Sequence, residues 1–126
     1  NAMVLNNYAY FLSLEGRDLE RALAMAGRAI VLEENNPTYL DTYAWVLYRL
    51  GRYDEAKKTM QQALSLDRSQ SPDLQLHYGD ILAALGEKFM AEVYWKKALE
   101  GGYDDPDAIV ERFRRLKEAA QTPAAP

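Results

Sequence analysis

Small residues recur in step along this chain, and that recurrence restricts its fold more than any other feature. Glycine stands at 16, 51 and 86, and alanine follows at 22, 56 and 91 and again at 29, 63 and 98. The interval is about 34 residues throughout. Each later alanine precedes a bulky apolar residue: Ile30, Leu64 or Leu99. Small side chains are required where two helices approach closely, because larger ones force the backbones apart. The central copy shows what is repeated. Leu40, Tyr43, Ala44, Leu47 and Leu50 recur at helical steps and share one face. Ala56, Met60, Ala63 and Leu64 do the same after Gly51, whose conformational freedom suits a helix end. Asp54 and Glu55 set acids at the positive end of the second helix. Each copy therefore predicts a helical hairpin.

Laid over one another, these positions resemble the tetratricopeptide repeat (TPR) family, whose pattern runs Leu or aromatic, Leu-Gly, Tyr, Ala, Phe, Ala and Pro. The central copy matches through Leu40, Tyr43, Ala44, Leu47, Ala56, Met60 and Ala63, with Arg68 where the family usually has proline. The third matches through Tyr78, Gly79, Leu82, Ala91, Trp95 and Ala98. The first matches through Leu5, Tyr8, Ala9, Leu12, Ala22, Ala26 and Ala29, with one extra residue in its turn, at 17–21. The resemblance covers about the first hundred residues and implies an all-α, right-handed solenoid of three helix-turn-helix repeats with a seventh, capping helix.

In chain order, Asn1 and Ala2 precede Met3 and read as an expression remnant on a piece of a longer protein. The repeats are expected at about 3–36, 37–71 and 72–103, with helices over 3–14, 18–33, up to 66, 72–85 and 87–100. Pro37 and Pro72 suit first helical turns. Gly101-Gly102 stops the sixth helix, and Asp104-Asp105-Pro106 starts a cap over 105–120 with Ile109, Phe113, Leu116 and Ala120 as its apolar stripe. Glu111, Arg112, Arg114, Arg115, Lys117 and Glu118 are expected on its solvated side, the basic ones complementing the helix dipole. Residues 122–126 read as a flexible tail.

Composition narrows function mainly by exclusion. A net charge of −4 gives no basic surface for nucleic acid, and no cysteine is present for disulfides or thiolate metal sites. No apolar run is long enough to span a membrane, and no targeting signal is visible, so the compartment stays open between cytoplasm and periplasm or cell envelope. His77, the single histidine, lacks the companions of a zinc site. No carboxylate pair stands apart as acid and base, and no serine has a nucleophile's context. Neither a cofactor nor an enzyme is expected.

The first helices of TPR repeats line a concave groove, so the resemblance makes their non-core stripe the ligand-facing one. That stripe is Asn6, Asn7, Tyr10, Ser13 and Leu14 in the first copy, Thr38, Asp41, Trp45, Tyr48 and Arg49 in the second, and Asp73, Leu76, His77, Asp80 and Ala84 in the third. Asn6, Tyr10, Asp41, Trp45, Tyr48, Arg49, His77 and Asp80 are the candidate partner-binding residues, and Trp45 with Tyr48 and Arg49 is the expected anchor, being of the types enriched at interface hot spots. Some family members clamp a C-terminal carboxylate with Lys, Asn and Arg. Asn7 can be laid on one such Asn, but the basic partners are missing, with Asp41, Asp73 and Asp80 nearby instead, and Asp41 and Asp80 favour a basic or neutral peptide. The implied function is non-catalytic docking of a peptide or helix of another protein, the alternative being a structural segment of a longer solenoid, or self-association through the first helix. Resemblance to longer bacterial proteins with such repeats suggests a subunit of a larger assembly or a cell-envelope factor.

Overall fold

A computed structural model describes residues 1–121, so the expected tail lies outside the described residues. It consists of helices: α1 (Ala2–Glu15), α2 (Leu19–Leu32), α3 (Pro37–Arg49), α4 (Tyr53–Leu66), α5 (Pro72–Ala84), α6 (Lys88–Glu100) and α7 (Pro106–Gln121). This is an all-α helical-repeat fold with no strand among the described residues. The chain divides into two compact units, Asn1–Gln70 and Ser71 onward.

In the first unit α1 pairs with α2 and α3 with α4, and α3 also packs on α1 and α2. Ala9 and Leu12 of α1, Ala22 and Ala26 of α2 and Val46 of α3 form a fully buried cluster flanked by Leu23, Met25, Tyr43 and Leu50. A second cluster joins Ala2, Ala29 and Tyr39, with Leu5 and Ile30 against it. In the α3–α4 hairpin Ala44, Leu47, Ala56, Met60 and Ala63 are all buried. Burial of Leu12, Leu47 or Met60 stabilises by roughly 1.5–3 kcal/mol each, an upper figure because the unfolded chain already buries some apolar surface.

The repeated turn has one construction. After α3, Gly51 takes φ 80°, its N–H donates to Tyr48 O at 2.9 Å, and the Arg52 N–H donates to Leu47 O at 2.9 Å, a Schellman closure that needs a left-handed residue. Gly86 repeats it after α5, with Glu87 N–H on Leu82 O at 2.9 Å. The extra residue of the first turn is absorbed by Asp18, itself left-handed at φ 51°.

One expectation for this unit is corrected. Tyr8, placed in the core by its register with Tyr43, is 39% exposed. Tyr43 packs against a cluster built by α1 and α2, and α1 has no such pair before it among the described residues. The Tyr8 ring instead stacks on Phe11 at 6.3 Å and lies under the Arg21 guanidinium at 5.7 Å. Asn1 caps α1: its side chain accepts from the Val4 N–H at 3.1 Å.

In the second unit α5 packs on α6, and α6 on α7. Gly79 of α5 is where α6 comes closest, since a β-carbon there would fall 2.6 Å from Trp95 Nε1. Trp95 meets Phe113 of α7 edge-on at 5.7 Å, and Tyr78 meets Tyr94 edge-on at 4.6 Å. Arg112 corrects the expectation that it belongs to the solvated face. Its Nε and Nη2 donate to the Asp80 carboxylate at 2.7 and 2.9 Å, because residue 112 flanks the apolar stripe that turns α7 toward α6. The other charges of α7 behave as expected, with Arg114 paired to Glu111 and Glu118 and Arg115 to Glu111 on the exposed side.

Candidate interaction surface

The candidate surface of the first unit is centred on α3, which is held from both ends. Asn36 starts it by accepting from the Thr38 and Tyr39 N–H groups at 2.9 and 3.2 Å, and Pro37 supplies a first-turn residue that needs no donor. Gly51 ends it. Three stripes run along this rigid helix. Tyr39, Tyr43 and Val46 belong to the clusters shared with α1 and α2, and Leu40, Ala44 and Leu47 are buried on the next stripe. Asp41, Trp45 and Tyr48 form the third.

On that third stripe Trp45 and Tyr48 stack, with ring centroids 4.6 Å apart and planes 18° from parallel. Tyr48 also meets Tyr53, the first residue of α4, at 5.6 Å. Asp41 is buried, Tyr48 is half-buried and Arg49 is exposed. Trp45, expected as an exposed anchor, is only 9% exposed. Its ring is covered on one face by Tyr48, which leaves the tyrosine as the aromatic nearer solvent. The Arg49 guanidinium rests on the α1–α2 turn, where a β-carbon on Gly16 would meet its Nη2 at 2.9 Å.

On α1, Asn6 is buried and Tyr10 half-buried. The Asn6 Nδ2 donates to Asn7 Oδ1 at 3.4 Å, while its buried Oδ1 accepts nothing among the described residues. Ser13 is fully buried and donates to Tyr10 O at 2.5 Å. Leu14 is 56% exposed. The stripe thus offers half-open aromatics and one exposed cation over a polar, buried floor.

His77 and Asp80 lie on α5 in the second unit, and both are buried. Asp80 accepts three hydrogen bonds inside that unit, two from Arg112 and one from the Trp95 indole N–H at 2.9 Å. The sequence reasoning missed this use. Its signal was the placement of Arg112 three residues after Ile109, at the edge of the buried face. On the exposed side of α7, hydrogen bonds from Arg114, and to a lesser degree Arg115, lower the Glu111 carboxyl to about 2. No group of three or more metal-ligating side chains gathers among the described residues, and none of their helices is long and apolar enough to cross a membrane.

Paired helices closed by the same glycine turn define a helical-repeat protein. Residues 37–69, which hold the α3–α4 hairpin, match the tetratricopeptide repeat family. The Yersinia enterocolitica type III secretion translocator chaperone SycD is similar at 18% identity and TM-score 0.77, over 96% of this chain and 95% of that one. The first TPR of Spaghetti (RPAP3) bound to the HSP90 peptide SRMEEVD is similar at 19% identity and TM-score 0.80, over 96% of this chain and 94% of that one. The Sgt2 TPR domain from Aspergillus fumigatus gives 18% identity and TM-score 0.78, over 99% and 85%. Residues 37–69 are thus a tetratricopeptide repeat by sequence, and the chain has the fold of these helical-repeat structures.

Proposed function

We propose that the chain is a non-catalytic docking module that holds a peptide or helical segment of another protein against the outer stripe of α3. The observation that carries this reading is the Trp45–Tyr48 stack, half-open to solvent beside exposed Arg49. A stacked aromatic pair gives large contact area at small entropic cost, and Trp, Tyr and Arg are the types that dominate interface energetics. Trp45 backs the contact, while Tyr48 and Arg49 make it. Asn6, Tyr10 and Asp41 supply polar groups in the same unit. The similar RPAP3 domain is described with a bound peptide and SycD as a chaperone of translocators, which agrees with binding rather than catalysis. Replacing Tyr48→Ala together with Arg49→Ala tests the reading. Affinity capture with the variant should lose the partner that the unchanged chain recovers, while helix content is unchanged, and equal recovery by the variant would reject the reading.

A second reading is favoured by α1. Met3, Val4, Phe11 and Leu14 are 57, 60, 47 and 56% exposed, and helical geometry places them within one arc. An apolar face of this kind suits self-association. Molar mass measured over a concentration range for the chain and for Phe11→Asp checks it: a concentration-dependent mass, abolished by the substitution, supports α1 pairing, and a constant monomer mass opposes it.

A further inference from the structure

Prolines begin α3, α5 and α7 at positions 37, 72 and 106, so α7 keeps the register of a first helix. In that register Ala44, Gly79 and Phe113 are equivalent, as are Leu47, Leu82 and Leu116. In α3 and α5 these positions are closed: Ala44, Leu47 and Leu82 are buried, and Gly79 receives Trp95 of its own hairpin's second helix. In α7 they are not. Phe113 and Leu116 are half-buried and floor a cleft of about 560 Å³ whose other wall is α6, where Phe89 is 77% exposed. The pairing face of a fourth first helix is formed, and no second helix covers it among the described residues.

Among the described residues no turn at the equivalent place returns a helix to this face. Gly51 and Gly86 follow their prolines by the same interval as Ala120 follows Pro106, yet α7 runs through Ala120 to Gln121. The missing turn favours an occupant from another molecule. Its shape follows from α4 and α6, which each bury alanine, a large side chain and alanine at i, i+4 and i+7: Ala56, Met60 and Ala63, and Ala91, Trp95 and Ala98. Its charge follows from Lys117, which stands where Tyr48 stands in α3. Tyr48 touches the first residue of α4, so a helix docked in the same way begins beside Lys117. A positive helix end next to a lysine needs acids in the first turn, as α4 has in Asp54 and Glu55. Lys88 on the opposite wall adds to this, and Glu92 offsets one of the two positive charges.

We propose that the α6–α7 cleft is a second docking site, taking an amphipathic helix of a partner protein with a small-large-small contact face and an acidic first turn, so that the fourth helical pair is completed between two chains. The site is separate from the α3 stripe, and its test does not depend on that reading.

The probe is an acetylated, amidated peptide of the α4 sequence, residues 53–66, titrated into the isotope-labelled chain and followed by NMR. Saturable shifts confined to 88–92 and 113–120 are expected. Ala120→Glu, at an exposed helical position, should raise the Kd about tenfold or more. Lys117→Glu should weaken the same peptide and prefer one carrying Asp54→Lys and Glu55→Lys. Absence of saturation, or shifts centred elsewhere, overturns the proposal. So does a doubling of mass that already perturbs the cleft signals without peptide, since a second copy would then be its occupant.

Discussion

Arg112 of α7 grips the Asp80 carboxylate of α5 with two nitrogens, at 2.7 and 2.9 Å, and the Trp95 indole of α6 donates to the same Oδ1 at 2.9 Å. Three helices are thereby tied through one buried anion. A planar guanidinium is suited to this because it presents two parallel donors, and Asp80 is left with no need of water.

Arg112→Ala leaves Asp80 buried without its counter-ion, and should lower stability by about 2 kcal/mol or more, somewhat below the range for fully buried pairs because Arg112 is itself 29% exposed. Arg112→Lys should recover little, since an ammonium cannot make both bonds. Urea denaturation of the three proteins measures this, and equal midpoints would show the pair to be incidental.

Gly79→Ala meets opposing effects. Alanine favours a helix by about 1 kcal/mol over glycine, but its β-carbon would strike the Trp95 indole. Overpacking of this sort costs about 1–3 kcal/mol, so net destabilisation is expected. Combining it with Trp95→Leu should cost less than the sum of the single changes, because the collision is removed. Strict additivity in thermal unfolding would contradict the close-contact account.

Trp45→Ala should destabilise the first unit by about 3 kcal/mol, the scale for truncating a buried large aromatic. Tyr48→Ala, half-exposed, should cost much less. Denaturation midpoints separate them, and the difference decides which variant is fit for binding work: only Tyr48 can be removed without confusing lost fold with lost contact.

Glu111 is held at about 2, below its ordinary value, chiefly by Arg114 and secondarily by Arg115. A carboxylate whose pKa is depressed in the folded state stabilises above its unfolded value, and that contribution disappears as pH falls through about 2. The cluster is open to solvent, so added salt should move the Glu111 pKa upward. Carbon-detected NMR titration at low and high salt checks both statements; an ordinary, salt-insensitive value would refute them.

Most of the fold was legible because packing geometry leaves its mark on residue size. Ala22, Ala56 and Ala91 are each fully buried, as their recurrence required, and Pro37, Pro72 and Pro106 begin helices. The surface was less legible. Periodicity says that Asp41, Trp45 and Tyr48 share a stripe, but not that one ring covers the other, so Trp45 looked exposed. Asp80 looked ligand-facing because its partner Arg112 is 32 residues away, in a helix whose rotation the sequence left open. Tyr8 followed the repeat pattern, although the pattern assumes a preceding helix pair.

Site-specific photocrosslinking tests the central claim most directly. With benzoylphenylalanine at position 48, and at exposed position 62 on α4 as control, the protein in its native extract should yield a discrete adduct from position 48 alone. Adducts from 62 and none from 48 would place the partner elsewhere and contradict the assignment of the α3 stripe.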